Sequence, residues 1–390
     1  MRTLGTLRFR GVPFFVFPFG INLYLVRILQ ISSAKVFGGG ERHFADLTRE
    51  LVRRGHDVFV ALRPTNEWQS RLSYVPPERF LHVSIRNSFG MFSARRIANF
   101  AVQNEIDIIH AHVARDYIAA SIAARSANTR LVITRHVLFP MKSFHRFALR
   151  NVDAAIAVSS SVRDQLTRVF PPAKVHLISN GIDLAATSDE ERQKWGREFR
   201  DLHSLPSDCP VVSTIGELKV LKGQRDFVLA ANEVVKQRPD CRFVVAGLDN
   251  SLDKSFRREL KRLVRVFGMG ENFIWLDWLE DTRPLLAASD IFVSPSHSES
   301  FGLAILDAMI AGCPVVATMT GGAIELIPDA KALVPIKDPL SLADSILWYL
   351  EHPDDRDQLA RELHDNATER FSLKRMVDAT ENLYQRLLQK

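Results

Sequence analysis

The stretch that decides the fold lies in the second half of the chain: Ser296-His297-Ser298-Glu299-Ser300-Phe301-Gly302-Leu303. It joins the end of an apolar strand pattern to the start of a helical pattern. Glu299 lies in the predicted loop, and Asp307 lies inside the predicted helix. Gly302 lies between the two acids, where the lack of a side chain lets the backbone approach a ligand closely.

The residue types at this turn predict a ligand class. A helix that begins here presents free N–H groups, which favour an anion such as a diphosphate. Two carboxylates beside an anion suit the hydroxyl groups of a polyol better than a metal ion or a nucleic acid. The turn therefore predicts a sugar-nucleotide site.

Outward from this turn, short apolar runs alternate with amphipathic stretches, which is typical of parallel βαβ units. The predicted strands are 28–32, 58–62, 106–110, 131–134, 154–158 and 175–178 in the first half, and 211–215, 243–246, 273–276, 291–294, 314–317 and 332–334 in the second. The pattern predicts an α/β chain of two Rossmann-like, doubly wound parallel sheets facing a cleft, with ligands at the carboxyl ends of the strands.

Changes of composition predict the domain boundaries. Residues 26–184 form the first Rossmann-like domain, 185–207 a charged linker, 208–365 the second domain and 366–390 a final helix. Residues 1–25 form an N-terminal extension whose apolar run is too short and too interrupted by proline for a spanning helix. We expect Val26 to be the true start, or residues 1–25 to be a disordered or membrane-touching tail.

Composition narrows the class of protein. A length of 390 residues favours two domains, and 46% hydrophobic with 25% charged residues is ordinary for a soluble globular protein. Three scattered cysteines predict a reducing cytoplasm. The net charge is +6, and basic residues exceed acidic ones only in the first half. This excess indicates either an anionic partner there, such as a phosphorylated acceptor, a membrane surface or nucleic acid, or solubility alone.

Two further strand-to-helix turns carry residues suited to phosphate. Gly38-Gly39-Gly40 follows the first strand, permits positive φ, and precedes a helix whose N–H groups can bind a phosphate. No GxGxxG motif is present, which argues against a nicotinamide dehydrogenase. Lys222 precedes Gly223 and a helix, where its charge can stabilise a diphosphate. The alternatives are a plain tight turn and a solvated lysine.

Three histidines follow predicted strands. His136 follows the strand 131–134, and His110 and His112, with one residue between them, lie at and just after the end of the strand 106–110. Histidines at strand ends are either ligand contacts or simply hydrogen-bonded residues. No carboxylate or thiolate has a spacing that would complete a zinc site with these three, so the sequence predicts no metal.

Taken in order, Gly38–Arg42, Asn180–Asp183, Lys222-Gly223 and the Glu299…Asp307 turn with Gly321–Glu325 resemble the retaining GT-B glycosyltransferases of family four, also called glycosyl transferases group 1. The resemblance spans nearly the whole chain from Val26. It implies transfer of a sugar from a nucleotide-diphosphate sugar to a hydroxyl of a glycan or lipid-linked acceptor, with retention of configuration and without a metal or cofactor. Cell-surface polysaccharide, lipopolysaccharide or glycolipid synthesis is the implied setting.

The resemblance also implies roles for the acidic turn. Glu299 would contact the hydroxyls of the transferred sugar, and Asp307 would accept hydrogen bonds from the ribose diol. Phe301, Gly302 and Leu303 would complete the donor site in the second domain.

The remaining roles follow from the same resemblance. Lys222 and the N–H of Gly39 would stabilise the diphosphate, and His136 would orient the sugar, so that Glu299, His136 and Lys222 form the catalytic set. His110 and His112 would line the acceptor cleft of the first domain, to which the final helix would return.

The chain departs from the family pattern at two positions. Glu217 stands in Gly216-Glu217-Leu218 where the family usually has arginine, and an acid beside a diphosphate is unfavourable. Lys219 is the candidate to replace the lost positive charge. Asp307 stands where the family has glutamate, which shortens its reach by about 1.5 Å, one C–C bond.

The sequence allows more than one interpretation of membrane contact and of the type of activity. Met141–Arg150 is predicted as a short basic amphipathic helix that either contacts a membrane surface or is an ordinary helix, and Arg86–Phe100 adds weight to the former. The expected location is cytoplasmic, or peripheral at the inner face of the cell membrane.

No basic–aromatic recognition motif indicates nucleic acid. The alternatives to a transferase are a sugar-nucleotide epimerase or hydrolase, and a catalytically silent binding scaffold.

Overall fold

A computed structural model describes residues 7–9, 12–16, 22–85, 90–142, 144–184 and 188–389, with the backbone alone for residues up to 24. The chain divides into two compact units. The first unit runs to Gly181 and takes in the residues from Leu373 onward, and the second unit is Ile182–Ser372.

The strands fall into three sheets. In chain order they are β1 Leu7–Phe9, β2 Val12–Val16, β3 Asn22–Tyr24, β4 Arg27–Ser32, β5 Asp57–Leu62, β6 Phe80–His82, β7 Ile108–Ala111, β8 Arg130–Arg135, β9 Ala154–Ala157, β10 Val175–Leu177, β11 Val211–Ile215, β12 Arg242–Ala246, β13 Phe273–Leu276, β14 Ile291–Ser294, β15 Val315–Thr318 and β16 Leu333–Val334. Strands β1 to β3 pair antiparallel. The first unit has a parallel sheet in the order β10-β9-β8-β7-β4-β5-β6, and the second in the order β13-β12-β11-β14-β15-β16.

Helices connect the parallel strands. In chain order they are α1 Gly39–Arg53, α2 Met91–Gln103, α3 Tyr117–Ala127, α4 His145–Ala148, α5 Ser160–Leu166, α6 Asp189–Leu202, α7 Gln224–Gln237, α8 Ser255–Val266, α9 Arg283–Ala288, α10 Leu303–Ile310, α11 Gly321–Leu326, α12 Pro339–Glu351, α13 Pro353–Arg370 and α14 Leu373–Leu388. Among the described residues, no helix combines the length and the apolar character needed to cross a membrane.

The central strands form because their residues are apolar on both faces, as a sheet covered on both sides requires. Strands β7, β9, β14 and β15 are buried along their whole length. The prediction of an α/β chain with two doubly wound parallel sheets is confirmed.

The last helix completes the core of the first unit. Leu373, Val377 and Tyr384 of α14 are buried in one cluster with Leu47 and Leu51 of α1. At the rim of this contact, Arg54 forms ion pairs of 2.7 Å with both Asp378 and Glu381. The amphipathic face of α14 therefore belongs to the hydrophobic core of the first unit.

The charged stretch that was expected to be a linker, 185–207, forms part of the second unit in the residues described from 188 onward. Ser188 and Glu191 form a capping box at the start of α6. Helix α6 packs closely on α9, since a Cβ on Gly196 would lie 2.7 Å from the carbonyl oxygen of Ala287. The polar composition reflects the exposed face of a helix rather than a flexible connection.

Other elements also differ from the sequence-based expectation. The basic helix expected over Met141–Arg150 is only the four-residue α4 among the residues described there. The final helix begins at Leu373 rather than at 366, because α13 continues to Arg370. Strand β6 was not predicted, and of the stretch Arg86–Phe100 residues 86–89 lie outside the described residues.

Candidate functional site

The candidate site in the second unit lies at the carboxyl ends of β11 and β14, which are neighbours in the sheet. The loops that follow these strands are joined by a hydrogen bond, in which the His297 N–H donates to the Leu221 carbonyl oxygen at 2.9 Å. Gly223 makes this approach possible, because a Cβ there would lie 1.8 Å from the carbonyl oxygen of Pro295. Sheet topology thus brings together two predicted motifs that are distant in sequence.

The two loops place Lys222 against Glu299. The ammonium group of Lys222 donates to Oε2 of Glu299 at 2.5 Å, and the Ser296 hydroxyl donates to the same oxygen at 3.4 Å. The side chains of Lys222 and Glu299 are 26% and 15% exposed, so solvent still reaches the pair. A partly buried cation and a partly buried carboxylate lie side by side, as expected where a charged, hydroxyl-bearing ligand binds.

Both helices that begin at this site have glycine N-caps. Gly223 precedes α7 with φ +67°, and Gly302 precedes α10 with φ +100°. These left-handed conformations suit glycine, and neither N-cap has a side chain that could accept a hydrogen bond from the first N–H groups of its helix. By contrast, the hydroxyl of Thr320 caps α11. The first turns of α7 and α10 therefore keep N–H groups available for an anion.

Helix α10 carries two of the predicted donor contacts on one face. Leu303 and Asp307 are four residues apart, so their side chains lie one above the other, and both are partly buried. Phe301 has a different position: its side chain is 2% exposed and its ring packs against that of Phe371 at 5.7 Å. The Phe301 side chain thus holds the loop in the core of the second unit, and only its backbone can face a ligand.

The Glu217 side chain at the family's arginine position is paired with Lys219. The ammonium of Lys219 donates to the Glu217 carboxylate, which also accepts from the Asn250 amide at 3.2 Å. Both partners are substantially exposed. The positive charge of Lys219, expected to replace that of the arginine, is therefore offset by Glu217 itself.

The sequence analysis missed a contact of His297 that holds the acidic loop in place. His297 contacts the Asp226 carboxylate through Nε2 at 2.7 Å, and both side chains are 14% exposed. Asp226 lies in the first turn of α7. The signal in the sequence was the polar His297 inside the quoted stretch, but its partner could be found only from the pairing of β11 with β14.

In the first unit, Gly39 is the first residue of α1, after the N-cap Gly38 with φ −152°. None of the three glycines adopts the positive φ that glycine permits. Gly40 lies beside His136: a Cβ on Gly40 would be in ordinary contact with Cγ of that ring, at 3.5 Å. The turn thus brings the start of α1 next to His136 at the end of β8.

The other two predicted histidines are buried. His110 contacts the Thr134 hydroxyl through Nε2 at 2.7 Å and the Tyr384 hydroxyl through Nδ1 at 2.5 Å. Because both ring nitrogens are satisfied and the residue has no exposed surface, His110 supports the core rather than lining an acceptor cleft. His112 contacts Gln30 Oε1 through Nε2 at 2.7 Å and is 4% exposed.

A fourth histidine, His43 of α1, was missed. It is 4% exposed, and its ring lies 4.7 Å from that of His136 and 5.6 Å from that of His112. Burial lowers the pKa of His43 to about 4, and the nearby Asn180 side chain opposes this shift only partly. Burial also lowers the pKa values of His110, His112 and His136. These imidazoles are therefore neutral at physiological pH. The sequence signal that could have identified His43 was its position just after the glycine motif, near the start of α1.

Comparison with known proteins gives the family and the fold of the chain. A family model described as "Glycosyltransferase Family 4" matches residues 37–186, and one described as "Glycosyl transferases group 1" matches residues 209–352. The fold is GT-B: the chain superposes on HepE of Anabaena, solved with UDP and glucose, with a TM-score of 0.81 and 21% identity over 92% of this chain and 99% of that one.

Curated relatives extend over most of the chain. The N-acetyl-alpha-D-glucosaminyl L-malate synthase of Bacillus anthracis is 25% identical over 89% of this chain and 93% of its own length. The lipopolysaccharide core biosynthesis glycosyltransferase LpsE of Rhizobium meliloti is 24% identical over 88% of this chain and 94% of its own. The protein is thus a GT-B glycosyltransferase. It belongs to family four, the glycosyl transferases group 1.

Proposed function

We propose that this protein is a retaining glycosyltransferase that moves a sugar from a nucleotide-diphosphate sugar to a hydroxyl of a glycan or lipid-linked acceptor, in the synthesis of a cell-surface polysaccharide, lipopolysaccharide or glycolipid. The observation that carries the proposal is the contact of Lys222 with Glu299 between two uncapped helix starts. LpsE, a lipopolysaccharide core biosynthesis glycosyltransferase, and HepE, solved with UDP and glucose, support this substrate class.

The donor is proposed to bind to the second unit. Lys222 and the N–H groups at the start of α10 would stabilise the diphosphate as negative charge develops on it. Glu299 would accept hydrogen bonds from the sugar, and Asp307, one turn into α10, would accept them from the ribose. These groups can supply the charge stabilisation without a metal, which is why we propose metal-independent transfer.

The first unit is proposed to contribute His136 and the N–H groups at the start of α1. His136 is partly buried at the end of β8, beside Gly40. A neutral imidazole there can donate and accept hydrogen bonds with sugar hydroxyls. The acceptor is proposed to bind to this basic unit.

Membrane contact is proposed for the segment around α4. Phe139 and Phe147 are 63% and 72% exposed, and Arg150 lies over the Phe147 ring at 4.8 Å. Exposed aromatic rings beside basic side chains suit an anionic lipid surface, which would bring the enzyme to a lipid-linked acceptor. The proposed location is accordingly cytoplasmic and peripheral to the inner face of the cell membrane.

A donor screen tests the proposal directly. Thermal shifts with UDP-, GDP- and ADP-sugars should identify one nucleotide that stabilises the protein, because a ligand that binds only the folded state raises the unfolding temperature. Product analysis with that donor, with and without glycan or lipid acceptors, then separates transfer from hydrolysis. Release of free sugar at the same rate with and without every acceptor would contradict a transferase.

One observation favours a second candidate, a catalytically silent binding scaffold. Glu217 places a negative charge where the family has arginine, and it pairs with Lys219. Donor binding of normal affinity without turnover across the acceptor panel would support that function instead.

A further inference from the structure

His43, His112 and His136 form a compact cluster in the first unit. One ring nitrogen from each lies within 4.8 Å of one from each of the others. The closest pair is His112 Nδ1 and His136 Nε2, at 3.5 Å. In tetrahedral zinc sites the Zn–N distance is about 2.0–2.1 Å, so two ligating nitrogens lie about 3.4 Å apart. The His112–His136 pair already has that spacing.

The His43 ring provides a second, independent observation. Neither of its nitrogens makes a hydrogen bond of normal geometry within the part of the chain that the structure describes, although the residue is almost fully buried. A buried polar group without a partner costs about 1–3 kcal/mol, so such groups usually have a bound partner. A metal ion shared with His112 and His136 would supply it.

The surroundings of His112 match those of a metal ligand. Its Nε2 lies 2.7 Å from Gln30 Oε1, an oxygen that accepts a proton and cannot donate one. Nε2 therefore carries the hydrogen, and Nδ1 presents its lone pair toward His136. Ligating histidines generally donate their other N–H to an oxygen in this way.

We propose that His43, His112 and His136 form a binding site for a divalent transition-metal ion such as Zn²⁺, with three imidazole ligands and a fourth position open to water. Three nitrogen ligands suit Zn²⁺ and its first-row neighbours better than Mg²⁺ or Ca²⁺, which prefer oxygen. His136 is the partly exposed member and gives the ion access from solvent.

The site differs from the one that the sequence analysis excluded. That argument considered His110, His112 and His136, and His110 is hydrogen-bonded to Thr134 and Tyr384. The metal would use Nε2 of His136, so a hydrogen bond to a sugar hydroxyl would use Nδ1 of this ring. The inference does not rest on the proposed function.

Metal binding by the full-length chain tests the site. Protein prepared without a histidine tag and stripped with a chelator is titrated with ZnCl₂ by calorimetry, and with CoCl₂ by visible absorption. We expect one Zn²⁺ per chain, an intense tetrahedral Co²⁺ spectrum and a rise in unfolding temperature with added Zn²⁺. His43→Gln and His136→Gln should each weaken Zn²⁺ binding by about 100-fold or more. Loss of a residue that only hydrogen-bonds a metal ligand costs about 10- to 100-fold, and loss of a ligand itself should cost at least as much.

A matched control uses the exposed His82, which lies on β6 and contacts Gln69. His82→Gln should bind Zn²⁺ as the unmodified protein does. Circular dichroism establishes that each variant is folded, and the Co²⁺ spectrum of the unmodified protein stands as evidence even if His43→Gln does not fold. The proposal is overturned if the unmodified protein binds no Zn²⁺, or if folded His43→Gln or His136→Gln binds it with unchanged affinity.

Discussion

The ammonium group of Lys222 lies 2.5 Å from the carboxylate of Glu299, although the two residues are far apart in sequence. A donor diphosphate would compete with Glu299 for this lysine. Binding of the donor would therefore release the carboxylate toward the sugar hydroxyls at the moment when the lysine turns to the phosphate. The ion pair thus joins the residue proposed to bind the diphosphate, Lys222, to the residue proposed to bind the sugar, Glu299.

Replacement of Glu299 by Gln should lower turnover by about 100-fold or more, since the amide keeps the shape but loses a charged acceptor of the kind that stabilises transition states. Fold and donor binding should persist, as measured by circular dichroism and calorimetry. Steady-state transfer assays give the rate. Glu233→Gln, on the exposed side of α7 next to Lys236, is the matched control and should transfer normally. Normal turnover in Glu299→Gln would remove Glu299 from the site.

Replacement of Glu217 by Arg should tighten donor binding. The change removes the acid that offsets Lys219 and adds the positive charge that the family usually has there. We expect about a 5- to 30-fold lower Kd for the nucleoside diphosphate at low salt, with a smaller gain at high salt because of screening. Glu217→Gln, which only frees Lys219, should give a smaller gain. Unchanged affinity in both variants would mean that the diphosphate binds away from this loop.

Replacement of Gly223 by Ala should destabilise the second unit strongly. The added Cβ would meet the Pro295 carbonyl oxygen, and the residue has φ +67°. Gly268 is a matched control, because it has φ +73° but nothing within 4 Å of its added Cβ. Gly268→Ala should cost about 1–2 kcal/mol for the backbone conformation alone. Urea unfolding should give a clearly larger loss for Gly223→Ala, and equal losses would argue against the close contact of the two loops.

Replacement of Asp116 by Asn should change how stability depends on pH. Asp116 is fully buried, accepts from the Ser33 N–H at 2.8 Å through Oδ2, and has no partner for Oδ1 among the described residues. Burial raises its pKa to about 6, above the ordinary value near 3.8. The folded state thus prefers the protonated acid, and this contribution to stability is present below pH 4 and lost as the pH rises through 6.

The side chain at position 116 in the Asp116→Asn variant is an amide and is neutral at every pH of the measurement. The variant's stability relative to the unmodified protein should therefore increase between pH 4.5 and 7.5, by about 2 kcal/mol. Urea unfolding at both pH values measures this difference. Asp164→Asn, on the exposed face of α5, is the control for loss of a negative charge. A pH-independent difference for Asp116→Asn would show that the buried acid does not titrate as expected.

Apolar runs such as Val211–Ile215 and Phe273–Leu276 coincide with β11 and β13 because strands buried on both faces leave a plain pattern in sequence. Gly223 and Gly302 located the helix starts for a different reason, because the left-handed conformation of these N-caps favours glycine. The sequence could not show that His110 has hydrogen-bond partners for both ring nitrogens whereas His43 has none among the described residues, because those partners come from distant parts of the chain. Nor could it reveal the pairing of Glu217 with Lys219, which depends on side-chain direction.

Helix α14 contributes to the same core as α1, yet it follows the whole second unit in the chain. A ribosome adds residues from the N-terminus at about 5–20 per second, so the first unit must wait for the whole second unit to be translated. During that interval the apolar face of α1, including Leu47 and Leu51, lacks its covering helix. Early-terminated chains would lack it permanently. We expect nascent chains to be chaperone substrates, and loss of α14 to cause aggregation rather than release of a folded fragment.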